Sequence, residues 1–201
     1  MFARGFVVAL TLALSASLSH AAASILWLEY PGGGAIPGHL TYDLYLDIDG
    51  TWCCSAMLFE LSQGSFYQDP LGDVKIHAPF LPAISPTVAF DTYVAEGGYQ
   101  DVGVIGGAGD VGGPPQLIFD ETTLNVSWGV LGGQRSSGFF KIARITLTTN
   151  AVGTWRLATI GADTPYTEFS GTVADIVPEP GTFAAFASGG VVLACRRRRC
   201  L

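Results

Sequence analysis

Hydrophobic positions between residues 24 and 177 recur mostly with a period of two. Leu40, Tyr42, Leu44, Leu46 and Ile48 alternate with Thr41, Asp43, Tyr45 and Asp47, which puts an apolar row on one face of a strand and a mainly polar row on the other. Asp49-Gly50 comes next as a turn signal and Trp52 to Leu61 returns as a second strand, so a hairpin is predicted here. Further strands are predicted at 25–30, 87–94, 116–119, 123–128, 139–148, 154–160 and 169–176. Turn-rich breaks separate them, such as Pro31-Gly32-Gly33-Gly34, Gly106-Gly107-Ala108-Gly109 and Gly112-Gly113-Pro114-Pro115. No stretch outside the two ends holds a helical period for three turns. About eight or nine short strands without alternating helices predict an all-β chain folded as an antiparallel β-sandwich.

The two ends have a different pattern. Residues 1–23 carry Arg4, an apolar stretch from Phe6 to Leu18 and the small residues Ala21-Ala22-Ala23, the composition of a secretory signal peptide cut after Ala23 or a residue or two earlier. At the other end Pro178, Glu179 and Pro180 precede an uncharged run from Thr182 to Cys195, and Arg196, Arg197, Arg198 and Arg199 close it. As a helix, the segment from Gly181 to Cys195 would be roughly 22 Å long at about 1.5 Å per residue. The hydrocarbon core of a bilayer is about 30 Å thick, so this is a short membrane helix that needs snorkelling arginines or a thinned bilayer. Carrying four arginines across would cost on the order of 10 kcal/mol, so they are expected to act as a stop-transfer plug on the cytoplasmic side.

Triplet, apolar run and arginine cluster, in that order, resemble the PEP-CTERM sorting signal of Gram-negative bacteria. The resemblance covers about 25 residues. It implies recognition of Pro178-Glu179-Pro180 by exosortase, a membrane-embedded cysteine protease, with export, transient anchoring in the inner membrane and delivery to the cell surface or extracellular matrix. The domain organisation expected is thus signal peptide 1–23, exported sandwich domain 24–177 and sorting tail 178–201, with a signal helix and a membrane helix flanking the sandwich.

The net charge of −7 understates the acidity of the central part. Between Ser24 and Val177, 5 basic residues stand against 16 acidic ones, near −11. Nucleic-acid binding needs clustered Lys and Arg and is not expected. The strands at 42–48, 56–61 and 142–147 give the domain a loose resemblance to cohesin-like and carbohydrate-binding jelly-roll sandwiches, which bears on the fold and little on the ligand.

Candidate chemistry is sparse. Cys195 and Cys200 lie at the cytoplasmic end of the tail, whereas Cys53 and Cys54 enter an oxidising compartment. One or both are expected to be small buried apolar residues, with a strained vicinal disulfide as the alternative. No metal site and no cofactor are expected. Asp47-Ile48-Asp49-Gly50 fails as an EF-hand, since the loop would start at Tyr45 and end at Ala56, and reads as a solvated hairpin end. A calcium site built on Asp47, Asp49 and a distant carboxylate is the alternative. The Gly103–Gly113 run lacks the Gly-Lys-Ser/Thr of a phosphate loop and reads as a flexible loop. His39 and His77 lack zinc or triad spacing, and Ser136-Ser137-Gly138 is not a nucleophile elbow. Trp155 is expected to point inward, Trp52 to be the most exposed tryptophan, and the Asn125-Val126-Ser127 sequon to be coincidental.

The sequence thus predicts a non-enzymatic structural or adhesive surface protein, with exosortase, the inner membrane and exopolysaccharide as partners. The alternative is a polysaccharide- or protein-binding module, calcium-assisted, marked by an exposed aromatic patch. A glycan-acting hydrolase is third and needs convergent carboxylates in a cleft.

Overall fold

The computed structural model describes residues 23–177 except 33, 96–101, 132–136, 162 and 164. The signal segment, Ser136, Pro178, Glu179, Pro180, the apolar tail and Arg196 to Arg199 lie outside the described residues. Among the described residues no helix is long and apolar enough to cross a membrane.

Two antiparallel sheets form the domain. The first has the order β1 (Ala23–Glu29), β2 (His39–Ile48), β8 (Gly138–Thr148), β4 (Tyr93–Val94). The second has the order β10 (Thr167–Thr172), β9 (Val152–Ile160), β3 (Cys54–Gln63), β7 (Thr123–Val130), β5 (Val102–Gly106), with β6 (Ile118–Phe119) also on β7. Their facing rows make one core. Leu44, Leu46 and Ile48 come from the first sheet, and Met57, Phe59, Leu124 and Val126 from the second. Trp155 points inward as predicted and meets Trp27 edge-on, with ring centroids 5.7 Å apart.

The predicted β2–β3 hairpin does not form. β2 pairs with β1 and β8, β3 pairs with β7 and β9, and the chain crosses between sheets at residues 49–53. Gly50 does not take the positive φ that a two-residue type I′ hairpin requires. Both strands also bury their apolar rows most completely when facing each other across the core. Trp52 fills the corner, fully buried rather than exposed, and its Nε1–H donates to Ser55 Oγ at 2.9 Å. Other departures are local. A one-turn helix, α1 (Leu81–Ile84), leads into a 3₁₀ turn at residues 86–90 that begins at Pro86, leaving only Tyr93–Val94 of the predicted strand at 87–94. The last predicted strand ends at Thr172 and continues as a second one-turn helix, α2 (Val173–Ile176).

The Gly-rich run is only partly loop. It contains β5 and then a 3₁₀ turn at Gly109–Val111, forming an arm over the outer face of the second sheet. Ala108 and Val111 pack there on Ala56, Leu58 and Ala158, a second small core. The arm is fastened by Asn125, which is fully buried. Its Oδ1 accepts from the Ala108 N–H at 2.9 Å, and its Nδ2 donates to the carbonyls of Pro114 at 2.9 Å and Gln116 at 2.6 Å. A Cβ on Gly113 would sit 2.1 Å from Asn125 Oδ1, so close approach of the arm requires glycine.

Candidate functional site

On the outer face of the first sheet, the row that alternation predicts to be polar and solvated is half covered. The segment 65–95 runs beside β8, which it joins through the Tyr67 N–H to Thr146 carbonyl bond at 2.9 Å and the Ala95 N–H to Ile142 carbonyl bond at 2.8 Å, and its 86–90 turn reaches over the face to Arg144. Beneath this strap Thr41, Asp43, Arg144 and Thr146 are buried. Asp43 and Arg144 are partners in the β2–β8 register. The guanidinium grips the carboxylate in a fork, Nε to Oδ1 at 2.7 Å and Nη2 to Oδ2 at 2.8 Å. It also donates to the Ala89 carbonyl and lies 3.5 Å from the centroid of the Tyr30 ring. Lys141 joins the group, 3.8 Å from Asp43 Oδ1, and donates to the Tyr93 hydroxyl at 3.0 Å. Burial and the neighbouring Arg144 lower its pKa to about 8 against the pull of Asp43.

Lys141 and Arg144 are three positions apart, which strict alternation would place on opposite faces. A register shift opposite Leu44/Tyr45 brings both to Asp43. The sequence pattern alone does not reveal this cluster. Its only trace is an arginine inside the otherwise apolar run Ile142-Ala143-Arg144-Ile145.

Further along the strap, Asp91 and Asp69 are both buried. Asp91 Oδ1 accepts from the Asp69 N–H at 2.8 Å, and burial pushes the Asp91 carboxyl up to about 7. Both are residues of the strap itself.

The uncovered end of the same outer face carries Leu26 and Leu28, both exposed, beside Tyr45 and Phe139. The two rings are stacked, with centroids 4.7 Å apart and planes 4° from parallel, and Phe139 is 52 % exposed. Neither ring stands out in the sequence, since each sits at an ordinary alternating position.

A groove of about 520 Å³ runs along the outer face of the second sheet, between the arm and Tyr166. Ile105, Ile160 and Cys54 give it a mainly apolar wall. Its hydroxyls already have protein partners: Ser55 Oγ donates to Thr159 Oγ1 at 3.3 Å, Thr159 Oγ1 to the Cys54 carbonyl at 3.4 Å, and Ser127 Oγ to the Gly107 carbonyl at 2.7 Å. Cys53 and Cys54 are free and half-buried, less enclosed than expected. Asp47 and Asp49 are exposed at the end of β2, and no group of three or more His, Cys, Asp or Glu among the described residues could hold a metal ion.

At the C-terminal junction α2 is fixed by a capping box. Asp175 Oδ2 accepts from the Thr172 N–H at 2.6 Å and from its hydroxyl at 2.9 Å, while Val173 and Ile176 are buried. A mainly apolar recess of about 480 Å³, lined by Val152, Val173, Ala174 and Val177, lies beside it. The fold and this junction define a β-sandwich domain that runs without a spacer into the segment beginning at Val177.

That segment is a sorting signal. Residues 177–199 match the PEP-CTERM protein-sorting motif, so the match begins at Val177 and contains the triplet and all four arginines. The motif supports exosortase-dependent sorting of an exported protein that passes through the membrane. No curated protein matches the chain.

Proposed function

We propose that the chain is an exported, non-enzymatic surface or matrix protein of a Gram-negative bacterium, with the sandwich as the delivered part. Residues 1–23 direct export, and Arg196 to Arg199 halt the tail in the inner membrane. Exosortase acts at Pro178-Glu179-Pro180, and the product moves to the cell surface or the extracellular matrix among exopolysaccharide. The observation that carries this reading is the sorting-motif match beginning at the residue after α2. The test is mass spectrometry of the protein from its native host, which should return a mature chain lacking the arginine cluster. An intact C-terminus in a host that has exosortase defeats the reading.

A second reading, a polysaccharide- or protein-binding module, is favoured by the Tyr45–Phe139 pair with Leu26 and Leu28 alongside. Exposed aromatic faces suit the C–H faces of sugar rings and apolar side chains alike. A glycan array with and without calcium tests it, and flat responses in both conditions count against it.

A further inference from the structure

Cys53 and Cys54 occupy the corner where the chain enters the second sheet. Cys53 stands just before the first residue of β3, with its N–H bonded to the Ile160 carbonyl at 2.9 Å and its carbonyl to the Val130 N–H at 3.1 Å. In a regular strand neighbouring side chains point to opposite faces. Here the Cys53 thiol lies close enough to that of Cys54 to raise its pKa. Opposite them in the register lies Gly129, where a Cβ would sit 2.6 Å from the Cys53 carbonyl oxygen and 3.0 Å from Cys54 Cβ. Cys54 also lines the 520 Å³ groove, so small molecules can reach its thiol from outside, and Cys53 is half-buried.

We propose that Cys53 and Cys54 form a thiol–disulfide exchange site that takes up a low-molecular-weight disulfide and resolves it internally to a vicinal disulfide. One thiolate attacks a sulfur of R–S–S–R, forming the mixed disulfide and releasing RS⁻. The neighbouring thiol then attacks the protein sulfur of that mixed disulfide, and the second R–S⁻ leaves. Two protein thiols are oxidised by two electrons, one small disulfide is reduced to two thiols, and the two protons end on the released thiols.

Burial, and next to it the Cys53 thiol, push Cys54 up to about 11. At pH 8 only about one part in a thousand of it is thiolate, so Cys54 is the second sulfur to react. The closed ring is strained, because neighbouring α-carbons are about 3.8 Å apart against the usual range of about 4.4 to 6.8 Å. Strain makes a disulfide easier to reduce, which suits a reversible site rather than a permanent staple.

The experiment uses the reduced full chain and does not depend on how the chain is sorted. Oxidised glutathione is added, remaining thiols are alkylated in denaturant, and the protein is digested with trypsin. No lysine or arginine lies between Arg4 and Lys75, and this segment contains no cysteine except Cys53 and Cys54, so Cys195 and Cys200 fall in other peptides. The wild-type peptide should be lighter by two hydrogens with no alkyl group and no glutathione, and dithiothreitol should restore both alkylation sites. Cys54→Ser should stop with one glutathione attached, and Cys53→Ser should take up glutathione far more slowly. The proposal is overturned if both wild-type thiols stay alkylatable, if the wild type keeps bound glutathione, or if the peptide is linked to a second chain. The wild-type result alone decides it, whatever the variants do to folding.

Discussion

Replacing Arg144 by Met tests whether the strap is held by charge. The substitution removes the 2.7 Å and 2.8 Å hydrogen bonds to Asp43 and leaves a buried carboxylate with Lys141, at 3.8 Å, as its remaining cation. Breaking one side of a buried ion pair costs about 3 to 5 kcal/mol. Lys141 can move closer to Asp43, so the lower end, about 3 kcal/mol, is expected. Asp43→Leu should cost a similar amount, because it leaves the guanidinium under the strap with the Ala89 carbonyl and the Tyr30 and Tyr93 rings and no carboxylate within the cluster. The double variant leaves Lys141 without its carboxylate but strands neither Asp43 nor the guanidinium, so it should lose clearly less than the two single variants combined. The assay is equilibrium urea unfolding of the full chain and both single and double variants. At a slope of about 2 kcal/mol per molar urea, each single substitution lowers the midpoint by roughly 1.5 M. A single-variant loss below about 0.5 M, or a double variant as unstable as the two singles combined, would refute the reasoning.

Three further outcomes are expected. The carboxyl of Asp91 is raised from an ordinary value of 3.8 to about 7, so the folded state holds its proton more tightly than the unfolded state between these values. Its contribution is therefore complete below pH 4 and is lost as pH rises to 7, on the order of 4 kcal/mol at most; urea midpoints compared across this window for wild type and Asp91→Asn should show the decline only in wild type. Asn125→Ala unties the arm from its three bonds and should cost about 1 to 3 kcal/mol, with amide exchange at Ala108 and Val111 rising faster than in the core strands. Ala23 pairs with Ile48 as the first residue of β1, so N-terminal sequencing of the exported protein should find the cut before Ala23, and a start at Ser24 would show that the strand tolerates losing that pair.

The features legible in the sequence were those set by local pattern. The row Tyr42, Leu44, Leu46 and Ile48 faces the core as alternation requires, and Trp155 points inward. The hidden features depend on partners far along the chain. Asp49-Gly50 looks like a hairpin turn until β8 takes the place beside β2 that β3 would have filled. β5 reads as loop because its glycines carry no periodicity, and its pairing with β7 is a property of β7. Thr41 and Asp43 read as solvated because nothing local announces the strap above them. Asn125 reads as a chance sequon, although an amide inside a strand of apolar residues is a signal that buried backbone groups need a partner. At the sorting end the order of the tail was legible from its own residues, and the motif match at 177–199 agrees with it.

The stapled turn of α2 places Val173 and Ile176 in the core four residues or fewer before the motif begins, leaving no slack chain between globule and signal. On the proposed reading, exosortase would meet a capped helix that ends two residues before the triplet. A product cut beyond Val177 keeps the capping box and the buried Val173 and Ile176, so melting it beside the precursor reads directly what the tail adds to the sandwich.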